Sequence, residues 1–231
     1  MVEKNPLQAL CNFRRHHTSL EFILESALNF LGFIVGLILG IFSYIGFRNT
    51  GSPTLFRMNI AFFSIGIGFG VVGFGIMIES FFLGYTKIDT WIQTLGIGIQ
   101  TVGYFFIAFS HGIKSFFPKS RYFKSIAVPF FIIPGNSIEH IIRSISFILL
   151  VYGTIETIMS YMENRKRSAI FVATGLGLLA LGEFLGWYSV IFPKSVLYFI
   201  SVSTKIVGLG ALFVPISQVP LRGGVRFGNN L

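Results

Sequence analysis

Six long apolar segments constrain this chain more than any other feature. They cover about residues 22–47, 55–82, 90–113, 136–162, 168–191 and 195–218, and each is long enough for an α-helix that crosses a bilayer, which needs about 20 residues. Only 12% of the residues are charged and the mean hydropathy is +0.74, whereas about a quarter of residues are charged in soluble domains. The sequence therefore predicts an all-α, multi-pass protein of the cell membrane with a single transmembrane domain.

The basic residues point to a membrane rather than to nucleic acid. The formal net charge is +9, but the lysines and arginines lie in short loops between apolar segments, where such residues set membrane orientation. Cys11 is the only cysteine, so an intramolecular disulfide and a cysteine-based metal site are both excluded. No metal-ligand cluster, nucleophile-base pair or phosphate-binding loop stands at motif spacing. We therefore expect neither enzyme activity, nor a metal, nor a cofactor.

Two parts of the chain resemble each other. The glycine-rich run 65–73 aligns with 174–182 at an offset of 109 residues, and the run 95–103 aligns with 200–208 at an offset of 105. The second alignment places Gln100 opposite Lys205. Such self-similarity indicates a repeated unit, and we predict two three-helix repeats, about 22–113 and 136–218, joined by a linker segment over 114–135.

The linker segment decides how many times the chain crosses the membrane. It contains a short apolar stretch, 125–133, which includes Pro129 and is shorter than the ~17 residues that a span needs. If it crosses, both repeats run the same way and the loop lysines and arginines divide eleven to six between the two sides; otherwise they divide nine to eight. The positive-inside rule favours seven crossings, with six as the alternative.

Lys205 lies near the middle of the last apolar segment. An ionised lysine at that depth costs at least ~2.5–3.5 kcal/mol and marks a functional site with a partner. Glu183 and Glu156 are the carboxylates that could reach it, and Gln100 occupies the equivalent place in the other repeat. We predict a buried charge network of Lys205, Glu183, Glu156 and Gln100 at the contact between the repeats. It either fixes helix register or relays a proton or an ion.

The residues around this lysine support a chromophore as a further alternative. The run 202–205 (VSTK), followed by Gly208 and Gly210, resembles the retinal-binding helix of microbial rhodopsins, in which a mid-membrane lysine forms the Schiff base. The resemblance implies that Lys205 would carry retinal. The sequence departs from that family at Ser201, where the family has an aspartate, and its third span lacks a carboxylate that could serve as counter-ion.

Two histidines near span ends suggest a second kind of chromophore. His111 and His140 could be the axial ligands of a b-type haem, because two histidines from different spans can hold one. Under seven crossings they would lie on opposite sides of the membrane and could not share a haem, whereas under six they share a side.

The chain as a whole resembles uncharacterised archaeal membrane proteins built from repeated helices, and the sensory membrane parts of some signalling proteins. The resemblance implies a non-enzymatic membrane protein, either sensor-like or an accessory subunit of a membrane complex, with a membrane-protein partner or a second copy of itself. One alternative is a small transporter or proton-conducting protein that uses Lys205 and the glutamates. Another is a retinal- or haem-binding membrane protein.

Overall fold

All regular secondary structure in the described part of the chain is helical. The structure, a computed structural model, describes residues 6–78, 88–112, 138–165, 167–191 and 195–222. Each of its helices contains a stretch of 20 to 28 residues that is long and apolar enough to cross a membrane, so the prediction of a multi-pass, all-α membrane protein is confirmed. The six helices are α1 (Pro6–Thr50), α2 (Pro53–Ile78), α3 (Ile88–Gly112), α4 (Ile138–Asn164), α5 (Arg167–Ile191) and α6 (Ser195–Arg222).

Two tight turns, one after α1 and one after α4, have the same geometry. After α1, Gly51 takes a φ of 66° and its amide donates to the carbonyl of Phe47 at 2.7 Å. After α4, Arg165 takes a φ of 48° and its amide donates to the carbonyl of Tyr161, also at 2.7 Å. A left-handed residue that bonds back into the last turn is a common way to end a helix. Both turns reverse the chain at once, so α1–α2 and α4–α5 are tight hairpins.

The six helices form a closed ring. Each helix packs on the next one in the chain, and α6 packs on α1. α1 and α6 run in the same direction, because the amide nitrogen of Asn29 bonds the Tyr198 hydroxyl at 3.2 Å while Phe42 meets Phe213 further along both helices, with ring centroids 5.3 Å apart. The first and last described helices thus lie side by side in parallel.

The helices α3 and α4 also run parallel. The hydroxyls of Thr101 and Ser146 are hydrogen-bonded at 2.7 Å, and Ala108 meets Gly153 seven residues further along both helices. The end of α3 at Gly112 and the start of α4 at Ile138 therefore lie at opposite ends of the ring. The short apolar stretch 125–133 falls outside the described residues.

The two halves of the ring, α1–α3 and α4–α6, make matching contacts. In α3, Gly103 packs on the carbonyl of Ala61, and in α6, Gly208 packs in the same way on the carbonyl of Gly175. We call two residues matched when they lie 105 positions apart in α3 and α6, or 114 apart in α1 and α4 or in α2 and α5. The 105 offset agrees with the sequence alignment of these helices.

The offset of 109 predicted for α2 and α5 differs from the contacts by five residues. It paired Gly66 with Gly175, whereas the packing matches Ala61 with Gly175. The physical reason is that glycine recurs at several spacings in both helices, so a run of glycines aligns at more than one offset. The turns support the larger offset, because Gly51 and Arg165 are also 114 positions apart.

The outer surface of the ring is apolar. Large side chains such as Trp91, Met162 and Val207 are 69%, 72% and 59% exposed. A soluble monomer rarely exposes so much contiguous apolar surface. The outer surface is therefore suited to lipid, and the polar side chains that matter for function are those buried inside the ring.

Candidate functional site

An ion pair between α5 and α6 lies at the centre of the site. The ammonium nitrogen Nζ of Lys205 is 2.6 Å from Oε1 of Glu183, and the Glu183 side chain is fully buried. Two charges inside a helical ring are tolerated only when they are paired, because each loses its hydration. The lysine that the sequence analysis singled out thus lies against a carboxylate of the preceding helix.

Arg143 of α4 extends this pair into a chain of alternating charges. Its Nη1 lies 3.5 Å from Oε2 of Glu183, and its Nε donates to Oε1 of Glu139 at 2.9 Å. The sequence analysis did not include Arg143 in the site. One sequence signal points to it: Glu139 and Arg143 are four residues apart, a spacing that pairs opposite charges on one helix. We call Glu139, Arg143, Glu183 and Lys205 the charge cluster.

Two glycines of α5 make room for the two cations. A Cβ built on Gly182 would lie 2.5 Å from Cγ of Lys205, and one built on Gly186 would lie 2.5 Å from Nη1 of Arg143. Real Cβ atoms do not approach neighbours that closely, so only glycine fits at either position without displacing the cation. These glycines flank Glu183 on one helix face. The carboxylate is thus placed between two notches, each filled by a positive side chain.

Gln100 of α3 faces Lys205 from the other half of the ring. It is buried, and its Cγ packs on Gly68 in the way that Lys205 packs on Gly182. Both reach a small cavity with about 10 Å³ of space for the centre of a water molecule, which is room for about one water. The cavity is lined by Asn29, Phe69, Gln93, Ile97, Gln100, Arg143, Tyr198, Ser201, Val202 and Lys205.

Most of the cavity wall consists of matched residues. Four matched pairs line it, one member from each half of the ring: Asn29 with Arg143, Gln93 with Tyr198, Ile97 with Val202, and Gln100 with Lys205. The position matched to Glu183 is Phe69. The cavity therefore lies where the two halves meet, with a neutral wall from the first half and a charged wall from the second.

Glu156 lies apart from the charge cluster. It is on α4 with Arg143, thirteen residues further along, which places it ~20 Å away at 1.5 Å of rise per residue. It does not line the cavity. The structure thus brings together Lys205, Glu183 and Gln100 from the predicted network and separates Glu156, because the helix carries that carboxylate towards the opposite end of the ring.

The two histidines proposed as haem ligands lie far apart. His111 is ten residues beyond Thr101 on α3, and His140 is six residues before Ser146 on the parallel helix α4. Because Thr101 and Ser146 are level, the histidine backbones are separated by ~24 Å along the ring. The His140 ring instead packs edge-on against Trp187, with the centroids 6.5 Å apart. These positions do not fit one shared haem.

The surroundings of Lys205 do not fit retinal either. Glu183 would supply the counter-ion that the third span lacks, because it contacts the lysine nitrogen directly. The space is insufficient, since the cavity at Lys205 holds about one water molecule and a polyene chromophore is many times larger. Nor does any group of three or more histidine, cysteine, aspartate or glutamate side chains among the described residues form a metal site.

The fold and the charge cluster alone define the class of this protein. No protein-family model, no curated protein and no solved structure matches the chain. The class is that of all-helical, multi-pass membrane proteins with an ion-paired cluster buried inside the ring. The archaeal and rhodopsin resemblances stay predictions.

Proposed function

We propose that this chain is a non-enzymatic membrane protein, sensor-like or an accessory subunit, whose charge cluster is reached from one face of the membrane. We call the end of the ring where α4 and α6 begin the near face, and the opposite end the far face. Glu139 lies on the first turn of α4, so the cluster starts at the near face. It ends at Lys205, which is nine residues into the apolar stretch Val196–Ser217, or ~14 Å deep.

The observation that carries this proposal is an apolar layer beyond the cluster. Ile107, Leu150 and Leu212 each lie seven residues, or ~10 Å, beyond Gln100, Arg143 and Lys205 respectively. The layer consists of side chains that are at most 1% exposed: Leu39, Phe62, Ile107, Leu150, Leu176, Leu209 and Leu212. A polar site that begins at one face and is separated from the other face by apolar side chains suits a protein that responds to one compartment.

Flux measurements in proteoliposomes test the proposal. With a pH-sensitive dye inside the vesicles, we expect the wild-type protein to conduct protons no faster than the Lys205→Met variant or protein-free vesicles. Proton flux that exceeds this background and disappears in Lys205→Met would refute the proposal of a sensor-like or accessory protein. Purification under native conditions tests the accessory role, for which we expect a stoichiometric membrane partner or a second copy. A monomer that carries no partner contradicts that role.

The place of the cluster favours a small transporter or proton-conducting protein as the second candidate function. Parallel-repeat transporters bind their substrate where the two repeats meet, near the middle of the bilayer, and the cavity lies at such a contact. In this case the apolar layer would have to open during transport. Flux that is lost in both Lys205→Met and Glu183→Gln, but kept in Glu156→Gln, supports this candidate.

We also infer that the chain crosses the membrane seven times, as two three-helix repeats that run the same way with a crossing between them. The parallel packing of α3 on α4, the matched contacts and the two similar turns support this topology. Single cysteines at positions 51 and 165, in a Cys11→Ser background, test it. We expect an impermeant maleimide to label both from the same side of the membrane. Six crossings would invert the second repeat and put the two cysteines on opposite sides.

A further inference from the structure

Gln100 and Lys205 both present unused hydrogen-bonding groups to the cavity. Gln100 is 2% exposed, and its carboxamide oxygen has no hydrogen-bond partner among the described residues. Lys205 has three N–H donors, and the ion pair with Glu183 uses one of them. Gly68 packs on Cγ of Gln100 and Gly182 on Cγ of Lys205, and both side chains line the cavity.

The chemistry of the cavity wall selects a neutral occupant. Both Arg143 and Lys205 line it, so a cation would be repelled. An anion has no hydrogen to donate to the Gln100 oxygen, and the charge cluster is already balanced, with two carboxylates against two cations. Water can donate to the carboxamide and accept from the ammonium, and the cavity has room for about one molecule.

We propose that this cavity is a water site in which one molecule bridges Gln100 of α3 and Lys205 of α6. Bridging waters of this kind hydrogen-bond otherwise unsatisfied buried groups and form part of the structure. The water connects the neutral half of the ring to the charged half at the depth where the charge cluster ends. The proposal does not depend on whether the protein senses or transports.

A double-mutant cycle on Gln100→Leu and Lys205→Met tests the bridge. Among the described residues no direct hydrogen bond joins the two side chains, so any departure from the product of their effects on the unfolding equilibrium has to arise through the cavity that both line. With the bridge, we expect the double variant to deviate from that product by at least about twofold, as is usual for residues in one hydrogen-bond network. Thr101→Val is the matched control, because its hydroxyl bonds Ser146 and its cycle with Lys205→Met should be additive.

Infrared difference spectra of the wild-type protein give a second readout, which stands even if Lys205→Met fails to fold. We expect an O–H stretching band of a bound water that shifts in H₂¹⁸O, persists in Thr101→Val and is lost in Gln100→Leu. An additive Gln100–Lys205 cycle together with no isotope-sensitive band lost in Gln100→Leu overturns the proposal. A Gln100-dependent signal that changes when chloride is exchanged for a larger anion also overturns it, because it identifies a halide as the occupant.

Discussion

Replacing Glu183 with glutamine is the sharpest test of the charge cluster. Glu183 is the only carboxylate that the described ion pairs give Lys205, at 2.6 Å, whereas Arg143 retains Glu139 at 2.9 Å. Removing one partner of a buried pair costs about 3–5 kcal/mol, because it leaves the other charge uncompensated. For a chain of this length, each kcal/mol lowers the melting temperature by about 2–4 °C. We therefore expect Glu183→Gln to lower it by about 6–20 °C.

A second variant, Lys205→Met, distinguishes the contributions of the two cations, Lys205 and Arg143, to stability. Glu183 then keeps Arg143 at 3.5 Å, so we expect a loss of about 3 kcal/mol, at the lower end of that range. The melting temperature in lipid nanodiscs, followed by circular dichroism, measures both variants against the control Glu156→Gln. The control carboxylate lies outside the cluster and should change stability by no more than about 0.5 kcal/mol. If Glu183→Gln melts within about 1 °C of the control, the cluster is not an ion-paired element of the fold.

Three further predictions follow from individual contacts. Gly182→Ala should destabilise the protein by about 1–3 kcal/mol, as overpacking does, because its methyl group would collide with Lys205. The control is Gly210→Ala, whose methyl group would have no atom within 4 Å. It should leave the melting temperature unchanged in the same assay. Asn59→Leu should cost about 0.5–1.5 kcal/mol, the net contribution of one hydrogen bond, because its amide donates to the Gly40 carbonyl at 2.9 Å inside the α1–α2 contact. The purified protein should show no visible absorption band, and a Soret band or a hydroxylamine-bleached band would contradict the fit arguments against haem and retinal.

The helices were predictable from the sequence because length and hydropathy decide them locally. Every apolar segment of about 20 residues became a helix, and the first hairpin contains Gly51 and Pro53, which are residue types typical of turns and helix starts. The five-residue error in the α2–α5 alignment has a different origin. Register depends on which carbonyl a glycine packs against, and a glycine-rich helix offers several such places.

The candidate site was predictable only in part. Lys205 and Glu183 stand out because a charge in the middle of an apolar segment is costly and must find a partner. Arg143 does not stand out in the sequence, because it lies near the start of its helix, where an arginine side chain can equally well be solvated. Its role depends on α4 packing against α5 at Gly186. Glu156 was included among the carboxylates that could reach Lys205, but it lies thirteen residues beyond Arg143 on α4, and ~20 Å along the helix is farther than a glutamate side chain reaches.

The difference in charge between the two halves of the ring follows from the size of the cavity at their contact. If Gln100 were a lysine like its matched residue Lys205, two ammonium groups would face each other across about one water molecule, or ~6 Å. At an effective dielectric constant of 20 they would repel each other by ~3 kcal/mol. A second arginine at Asn29 and a second glutamate at Phe69 would have to be buried with them, at several kcal/mol of desolvation for each ion. One half can therefore bury a charge cluster only while the other half presents amides and an aromatic ring to it.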